Sequence, residues 1–275
     1  MLEIGKYNTL QVARKVDFGL YLASDTDEVL LPKKYVTPEM EIGSDAEVFI
    51  YKDSEDRTIA TTLRPYATVG DFVFLKAKDV TAHGAFLDWG LEKDLFVPFR
   101  EQENKMEVGR SYVVYIYLDK LTKRLAASAK VNRYLSNEIA SLQENEKVEL
   151  LLHKKTDLGF GAIINNQFQG LIYKNEIFSE IKVGDKIHGW IKTIREDGKI
   201  DLRLQPVGIE LSDDAQKTIW NKLTAKNGFL ALTDNSEPQL IMQELSMSKK
   251  TFKKAVGGLF KDKKIVIEKD GIRLV

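Results

Sequence analysis

Cysteine is absent from the 275 residues, which excludes disulfides, thiolate metal sites and a cysteine nucleophile and fits a reducing compartment. Histidine is scarce: His83, His153 and His188 lie scattered, without the spacing of metal ligands. Net charge is missing too, 41 basic residues against 41 acidic, so the overall balance points to no polyanionic partner. No run approaches the roughly 18 apolar residues that cross a bilayer, and the N-terminal MLEIGKYNTLQ lacks the basic-then-apolar order of a secretory leader. The expected location is the cytoplasm, with no membrane contact. No phosphate loop of the G-x-x-x-x-G-K type occurs. The carboxylate pairs Asp25/Asp27, Glu55-Asp56 and Asp213-Asp214 fall in turns or at a helix start, where acids serve as caps. The chain is therefore expected to be non-enzymatic, with no cofactor and no metal.

The charge that is present is unevenly spread. Residues 246–275 hold nine lysines and arginines against three acids, a local +6, which leaves −6 for the rest. Such a segment points to an anionic surface; a solvated helix face is the commoner alternative.

Self-similarity organises the first two hundred residues. Three segments each begin with an aromatic residue or histidine before a glycine: Phe18-Gly19, His83-Gly84 and Phe160-Gly161. A short apolar strand then ends near Pro32, Pro98 or Tyr173. An apolar-Gly pair follows (Ile42-Gly43, Val108-Gly109, Val183-Gly184), and a basic residue leads the last strand: Arg57, Arg124 or Lys199. Each unit reads as a small five-stranded antiparallel barrel, a closure that removes exposed edges. Alternation in "GAFLDW" sends Ala85, Leu87 and Trp89 inward and Phe86 outward. An outward ring gains little from burial unless something flat stacks on it. A bulge at Gly84 would bring His83 to the same side. The alternative is that the glycine bends the barrel and the rings plug its end.

This pattern resembles the S1 domain, an OB-fold RNA-binding module. The resemblance implies an RNA-binding face made of Phe18, Tyr21 and Arg57 in the first unit, His83, Phe86 and Arg124 in the second, and Phe160, Tyr173 and Lys199 in the third. Lys33, Lys34, Arg100 and Lys174 supply charge beside these platforms. Proline stands at 32 and 98 where the family has histidine, and Ile163 is read in place of the third unit's second aromatic. The first unit carries 12 acids against 8 bases over residues 1–65, so the second and third are the stronger RNA-binding candidates.

From residue 212 the periodicity changes to 3.6. "DDAQKTIWNKL" places Ala215, Ile219, Trp220 and Leu223 on one face. Ser236 is the expected cap of a second helix with Leu240, Ile241 and Leu245 in the core, and Ser248 that of a third burying Phe252, Ala255, Val256, Leu259 and Phe260. "KIVIEKDGIRLV" reads as a hairpin turning at Asp270-Gly271. Three helices and a hairpin predict a winged helix. Lys249, Lys250, Lys253 and Lys254 form a positive ridge, with Lys269 and Arg273 near the wing. The ridge lacks Arg, Asn or Gln for bidentate base contacts, so it suits phosphates. Gly257-Gly258 implies close packing or an early helix end.

The expected architecture is mainly β: S1-like barrels at 1–65, 66–135 and 136–211, the last entered by a helical connector, "NRYLSNEIASL", and a winged helix at 212–275. This order resembles the conserved virulence factor B family of Gram-positive bacteria. That implies an RNA-binding regulator of gene expression, with effects on virulence factors in pathogenic members. The expected partner is single-stranded RNA, bound with little sequence preference by stacking and backbone neutralisation. The alternatives are a DNA-binding transcription regulator acting on duplex through the winged helix, and a ribosome-associated translation factor.

Overall fold

The computed structural model describes every residue except 139, 140, 178 and 205–208, and the backbone alone for 209–213. The chain divides into two compact units, Met1–Leu135 and Ser136–Val275. The first unit contains two closed barrels. One is built from β1 (Tyr7–Val16), β2 (Gly19–Ala23), β3 (Glu28–Pro32), β4 (Asp45–Lys52) and β5 (Thr58–Thr61), the other from β6 (Phe72–Val80), β7 (Gly84–Asp88), β8 (Leu95–Pro98), β9 (Ser111–Leu118) and β10 (Leu125–Ser128). The second unit opens with a third barrel: β11 (Lys147–Lys155), β12 (Gly159–Ile164), β13 (Phe168–Tyr173), β14 (Lys186–Ile194) and β15 (Ile200–Arg203). All three close in the strand order 1-2-3-5-4, with the third and fifth strands parallel and the other pairs antiparallel. These are the three five-stranded barrels that the repeat predicts, except that one strand pair in each is parallel where all were expected antiparallel, and Ala85, Leu87 and Trp89 are buried as the alternation requires.

The repeated apolar-Gly pair has a structural task. The first strand of each barrel carries a bulge, between Val12 and Arg14, Ala77 and Asp79, or Leu152 and Lys154. The residue just before each bulge turns its carbonyl to the loop ahead of the fourth strand. There Val12, Ala77 and Leu152 accept the N–H of Gly43, Gly109 and Gly184 at 2.8, 2.8 and 2.7 Å. The bulge bends the strand so that it can close the barrel.

The first two barrels share one core. Phe49, Tyr51 and Ile59 of the first belong to the same buried cluster as Leu75, Leu87, Trp89 and Ile116 of the second. Phe49 meets the Trp89 ring edge-on at 5.7 Å. Lys34 pairs with Glu92 across this seam, and Val69 N–H donates to the Gly5 carbonyl at 2.9 Å.

The connector is not helical where it is described. Val131–Arg133 form a single 3-10 turn, and Ser136 bridges to Phe168, with its N–H donating to the Gln167 carbonyl at 2.8 Å. Pairing with β13 satisfies backbone groups that a helix would have paired internally.

The last domain contains α1 (Ile209–Ala225), β16 (Phe229–Leu230), α2 (Pro238–Leu245), α3 (Lys249–Lys261), β17 (Ile265–Ile267) and β18 (Ile272–Leu274). Because α1 begins at Ile209, Asp213-Asp214 sits inside the helix, not in its first turn. Ser248 caps α3 as expected, accepting from Thr251 N–H at 3.1 Å. Ser236 does not cap α2: its hydroxyl closes the preceding turn by accepting from Thr233 N–H, and Glu237 is the cap residue. Trp220, Leu240 and Phe260, read as core, are exposed, because each lies at the edge of an apolar stripe that the small domain only partly covers. The wing turns at Lys269-Asp270, one residue earlier than expected, with Glu268 N–H bonded to the Gly271 carbonyl at 2.8 Å. Gly271 instead serves close packing, since a Cβ there would lie 2.4 Å from the Leu230 carbonyl oxygen. Gly257 lies inside α3 with open space where its Cβ would be, so neither close packing nor an early helix end accounts for it.

Candidate nucleic-acid interface

The glycine that opens the second strand of each barrel answers to its neighbour's backbone. Gly84 pairs with Pro98, and a Cβ on it would come within 2.3 Å of the Val97 carbonyl oxygen. Gly19 pairs with Pro32 and Gly159 with Tyr173, with equivalent distances of 2.1 and 1.9 Å. The third unit's counterpart is therefore Gly159, not Gly161, and the sequence register set on Phe160-Gly161 is two residues late. Phe160 takes the inward place of Leu20 and Ala85; at 8% exposed it belongs to the barrel core and cannot be an outward platform. The platform positions of the third unit are Leu158 and Gly161, and Ile163 is buried.

This register makes the three outer faces comparable. The second barrel presents His83, Phe86, Phe96 and Pro98; the first Phe18, Tyr21, Leu30 and Pro32; the third Leu158, Gly161, Leu171 and Tyr173. β7 begins at Gly84, so His83 precedes the strand. The turn is closed by Thr81 N–H on the Gly84 carbonyl and leaves His83 exposed. No bulge at Gly84 is involved; the bulge is on the partner strand β6.

Around the second barrel's face lies a cleft of about 460 Å³, open to solvent. His83, Phe86, Arg100 and Arg124 all line it, together with Phe96, whose ring is 5.1 Å from that of Phe86. Tyr117 closes one side, its hydroxyl pKa pushed up to about 12 by burial. Tyr51 and Lys52 enter from the first barrel, and Lys93 from the loop after β7, its ammonium pKa lowered by burial. Arg124 pairs with Asp56 of the first barrel, and Arg100 stands 4.0 Å from Asp119. Phe96 was legible as the outward member of "LFVP" but carried no repeat signal. Lys52 arrives only through the docking of two barrels, which also fixes the Lys93 amine on the Asp53 carbonyl at 2.6 Å.

The other faces are occupied or bare. In the first barrel Phe18 is 59% exposed, but the Arg14 guanidinium lies 3.6 Å above the Tyr21 ring and is held there by Glu28. Arg57 is gripped by Asp53 and Glu55 at 2.7 and 2.8 Å. In the third barrel, a Cβ at 161 would lie 2.9 Å from His153 Nε2, so a histidine from the bulge covers the place of a platform ring. Tyr173 accepts a hydrogen bond from Arg195 at 2.7 Å, Lys199 pairs with Asp197 at 2.6 Å, and Lys174 is exposed. On the winged helix Lys250, Lys253 and Lys254 are exposed and Lys249 half-buried; Lys253 reaches Asp234 at 3.4 Å. Lys269 is exposed, while Arg273 pairs with Glu268 at 2.8 Å and lies over the Phe229 ring. The structure thus assembles the predicted residues of the second barrel into one cleft, whose lining includes none of the residues predicted in the first and third barrels or the winged helix.

Two family models match the chain: the S1 domain at residues 4–63 and 69–130, and the CvfB-like winged helix domain at residues 217–274. The chain is an S1-domain protein with a CvfB-like winged helix. Both families in this S1–winged-helix protein are non-catalytic binding domains, and S1 domains point to nucleic acid as the partner. Relatives match this chain over most of their length. Identity is 27% to the uncharacterized protein YitL of Bacillus subtilis, over 96% of this chain and 91% of the relative. It is 25% and 26% to conserved virulence factor B of Staphylococcus saprophyticus and Staphylococcus aureus, over 86% of this chain and 81% of theirs. A crystal structure of a multidomain protein with nucleic acid binding domains from Streptococcus pneumoniae is 22% identical, covers 99% of this chain and 98% of its own, and has a TM-score of 0.45. Among the described residues, no helix is long and apolar enough to cross a membrane, and no cluster of three acidic or histidine side chains could hold a metal ion.

Proposed function

We propose that this protein binds single-stranded RNA in the cleft of the second barrel, with little sequence preference, and acts in the cytoplasm as a regulator of gene expression. One observation carries the reading: of the three outer faces, the second barrel's alone combines His83, Phe86 and Phe96 with Arg100 and Arg124 around one cavity. Rings of this kind stack on any base, and the arginines meet the backbone, so binding requires strand continuity more than sequence. A duplex keeps its bases stacked on one another and offers none to the cleft. The names of the staphylococcal relatives support a regulatory role, with virulence-factor expression the effect expected in pathogens. Competition of labelled single-stranded RNA against duplex DNA tests the proposal; displacement by duplex at equal concentration would refute it.

A second reading is supported by the lysine ridge. Among the described residues, Lys249, Lys250 and Lys254 have no carboxylate at ion-pairing distance. The winged helix is then a phosphate-binding surface for duplex nucleic acid or for structured RNA of the ribosome. In that case Lys250→Ala lowers the salt slope of duplex binding by about 0.9 and leaves single-strand binding untouched. Sedimentation with ribosomes separates the two ligands.

A further inference from the structure

The seam between the first two barrels gathers three cations from three separate segments. Arg124 comes from the end of the β9–β10 loop, Lys93 from the loop after β7, and Lys52 from the last residue of β4; all three line the aromatic cleft. Lys52 Nζ donates to the Thr122 carbonyl at 3.3 Å and Lys93 Nζ to the Asp53 carbonyl at 2.6 Å, which fixes both amines beside Arg124. One carboxylate faces them. Asp56 pairs with Arg124, and its Oδ1 lies 4.0 Å from Lys93 Nζ. The neighbouring acids are engaged elsewhere: Asp53 holds Arg57, and Asp119 accepts from the backbone N–H groups of Leu121 and Thr122. Asp56 sits at the tip of the 53–57 turn with φ 63°, and its side chain is 40% exposed. It can therefore swing into water without disturbing the core.

We infer that this cluster is a backbone-phosphate subsite of the cleft, contributed jointly by both barrels, and that Asp56 is its resident occupant until a nucleic-acid phosphate displaces it. The inference rests on the single-stranded RNA reading above. A phosphodiester and a carboxylate each carry one negative charge, so the exchange preserves the charge balance at Arg124 and Lys93 while adding Lys52 as a further contact. The bases of the same strand then reach Phe86 and Phe96 on the cleft's aromatic side. The acidic first barrel, whose own ring is covered by Arg14, acts as a wall of this site.

Anisotropy titrations of the full-length chain with a labelled mixed-sequence RNA 12-mer, at several salt concentrations, test the assignment. Asparagine tolerates the left-handed backbone at position 56, so D56N is expected to keep the fold; D56G is the second variant should it not. Removal of an exposed ion pair predicts RNA binding tighter by about two- to fivefold. The slope of log K against log salt should change by less than about 0.7, the value for one phosphate contact on a single strand, because wild type makes the same contact once Asp56 is displaced. R124A should weaken binding, and D56N placed in the R124A background should give no gain. Binding by D56N equal to or weaker than wild type, or a gain that persists without Arg124, overturns the assignment alone. A wild-type chain that binds no RNA overturns the functional reading with it.

Discussion

Replacing one outward platform side chain in each barrel separates a stacking surface from a structural plug. Phe86 is half-buried and, among the described residues, pairs with one other ring, Phe96, 5.1 Å away with planes tilted by 38°. If a base stacks there, Phe86→Ala removes about 1–3 kcal/mol of binding energy. At 1.4 kcal/mol per decade, that is a loss of roughly 5- to 150-fold in affinity. Phe86→Leu retains apolar volume but not the flat face and should lose nearly as much. Phe18→Ala in the first barrel and Leu158→Ala in the third should each change affinity by less than about twofold, because neither face offers a second open ring. Anisotropy with a labelled RNA gives the affinities, and circular-dichroism melts show whether each variant folds. A harmless Phe86→Leu, or a Phe18→Ala as costly as Phe86→Ala, would show that the cleft's ring does not stack on bases.

Gly84→Ala should destabilise the first unit by about 1–3 kcal/mol, since the added methyl meets the Val97 carbonyl oxygen at 2.3 Å and the Phe96 ring at 2.8 Å; an unchanged urea midpoint would contradict this. Gly257→Ala should stabilise the winged helix by up to about 1 kcal/mol, because the new methyl meets nothing and the helix loses its glycine penalty; the melting temperature reports it. The seam should weaken in acid. Arg124 holds the Asp56 carboxyl, and Lys34 the Glu92 carboxyl, below their ordinary pKa values. The unfolded chain therefore binds more protons, so this stability is complete above about pH 5 and fades as pH falls through the lower, folded values. Trp89 emission in a chain with Trp190 and Trp220 replaced by phenylalanine should show a melting temperature that drops between pH 6 and pH 3.

Much of the fold is local in its causes and was readable for that reason. Alternation placed Ala85, Leu87 and Trp89, the apolar-Gly pairs marked a recurring bulge contact, and Ser248 announced its helix. The errors fall where two local signals competed. Near residue 160 two glycines flank one phenylalanine, and the aromatic-Gly pairing chose the wrong one; the decisive fact, the approach of the Ile172 carbonyl to Gly159, lies on another strand. The polar "NRYLSNE" could satisfy a helix or an edge, and a pairing with β13 thirty residues away selected the edge. Of the cleft, His83, Phe86 and Arg124 were legible because they repeat, whereas Phe96 was not marked by the repeat. Lys52, Lys93 and Asp56 were not, since their meeting depends on how one barrel docks on another.

The common interior of the first two barrels, with Phe49 seated against Trp89, makes them inseparable. Beads on a flexible string can be cut, reordered or spaced by lengthening the tether, and each bead keeps its properties. Here a break near residue 65 would leave two wet aromatic faces in place of one dry one, and lengthening that stretch would gain no reach. The smallest fragment worth isolating is the pair, and any ligand of the cleft would meet one rigid wall, not two domains that must first find each other.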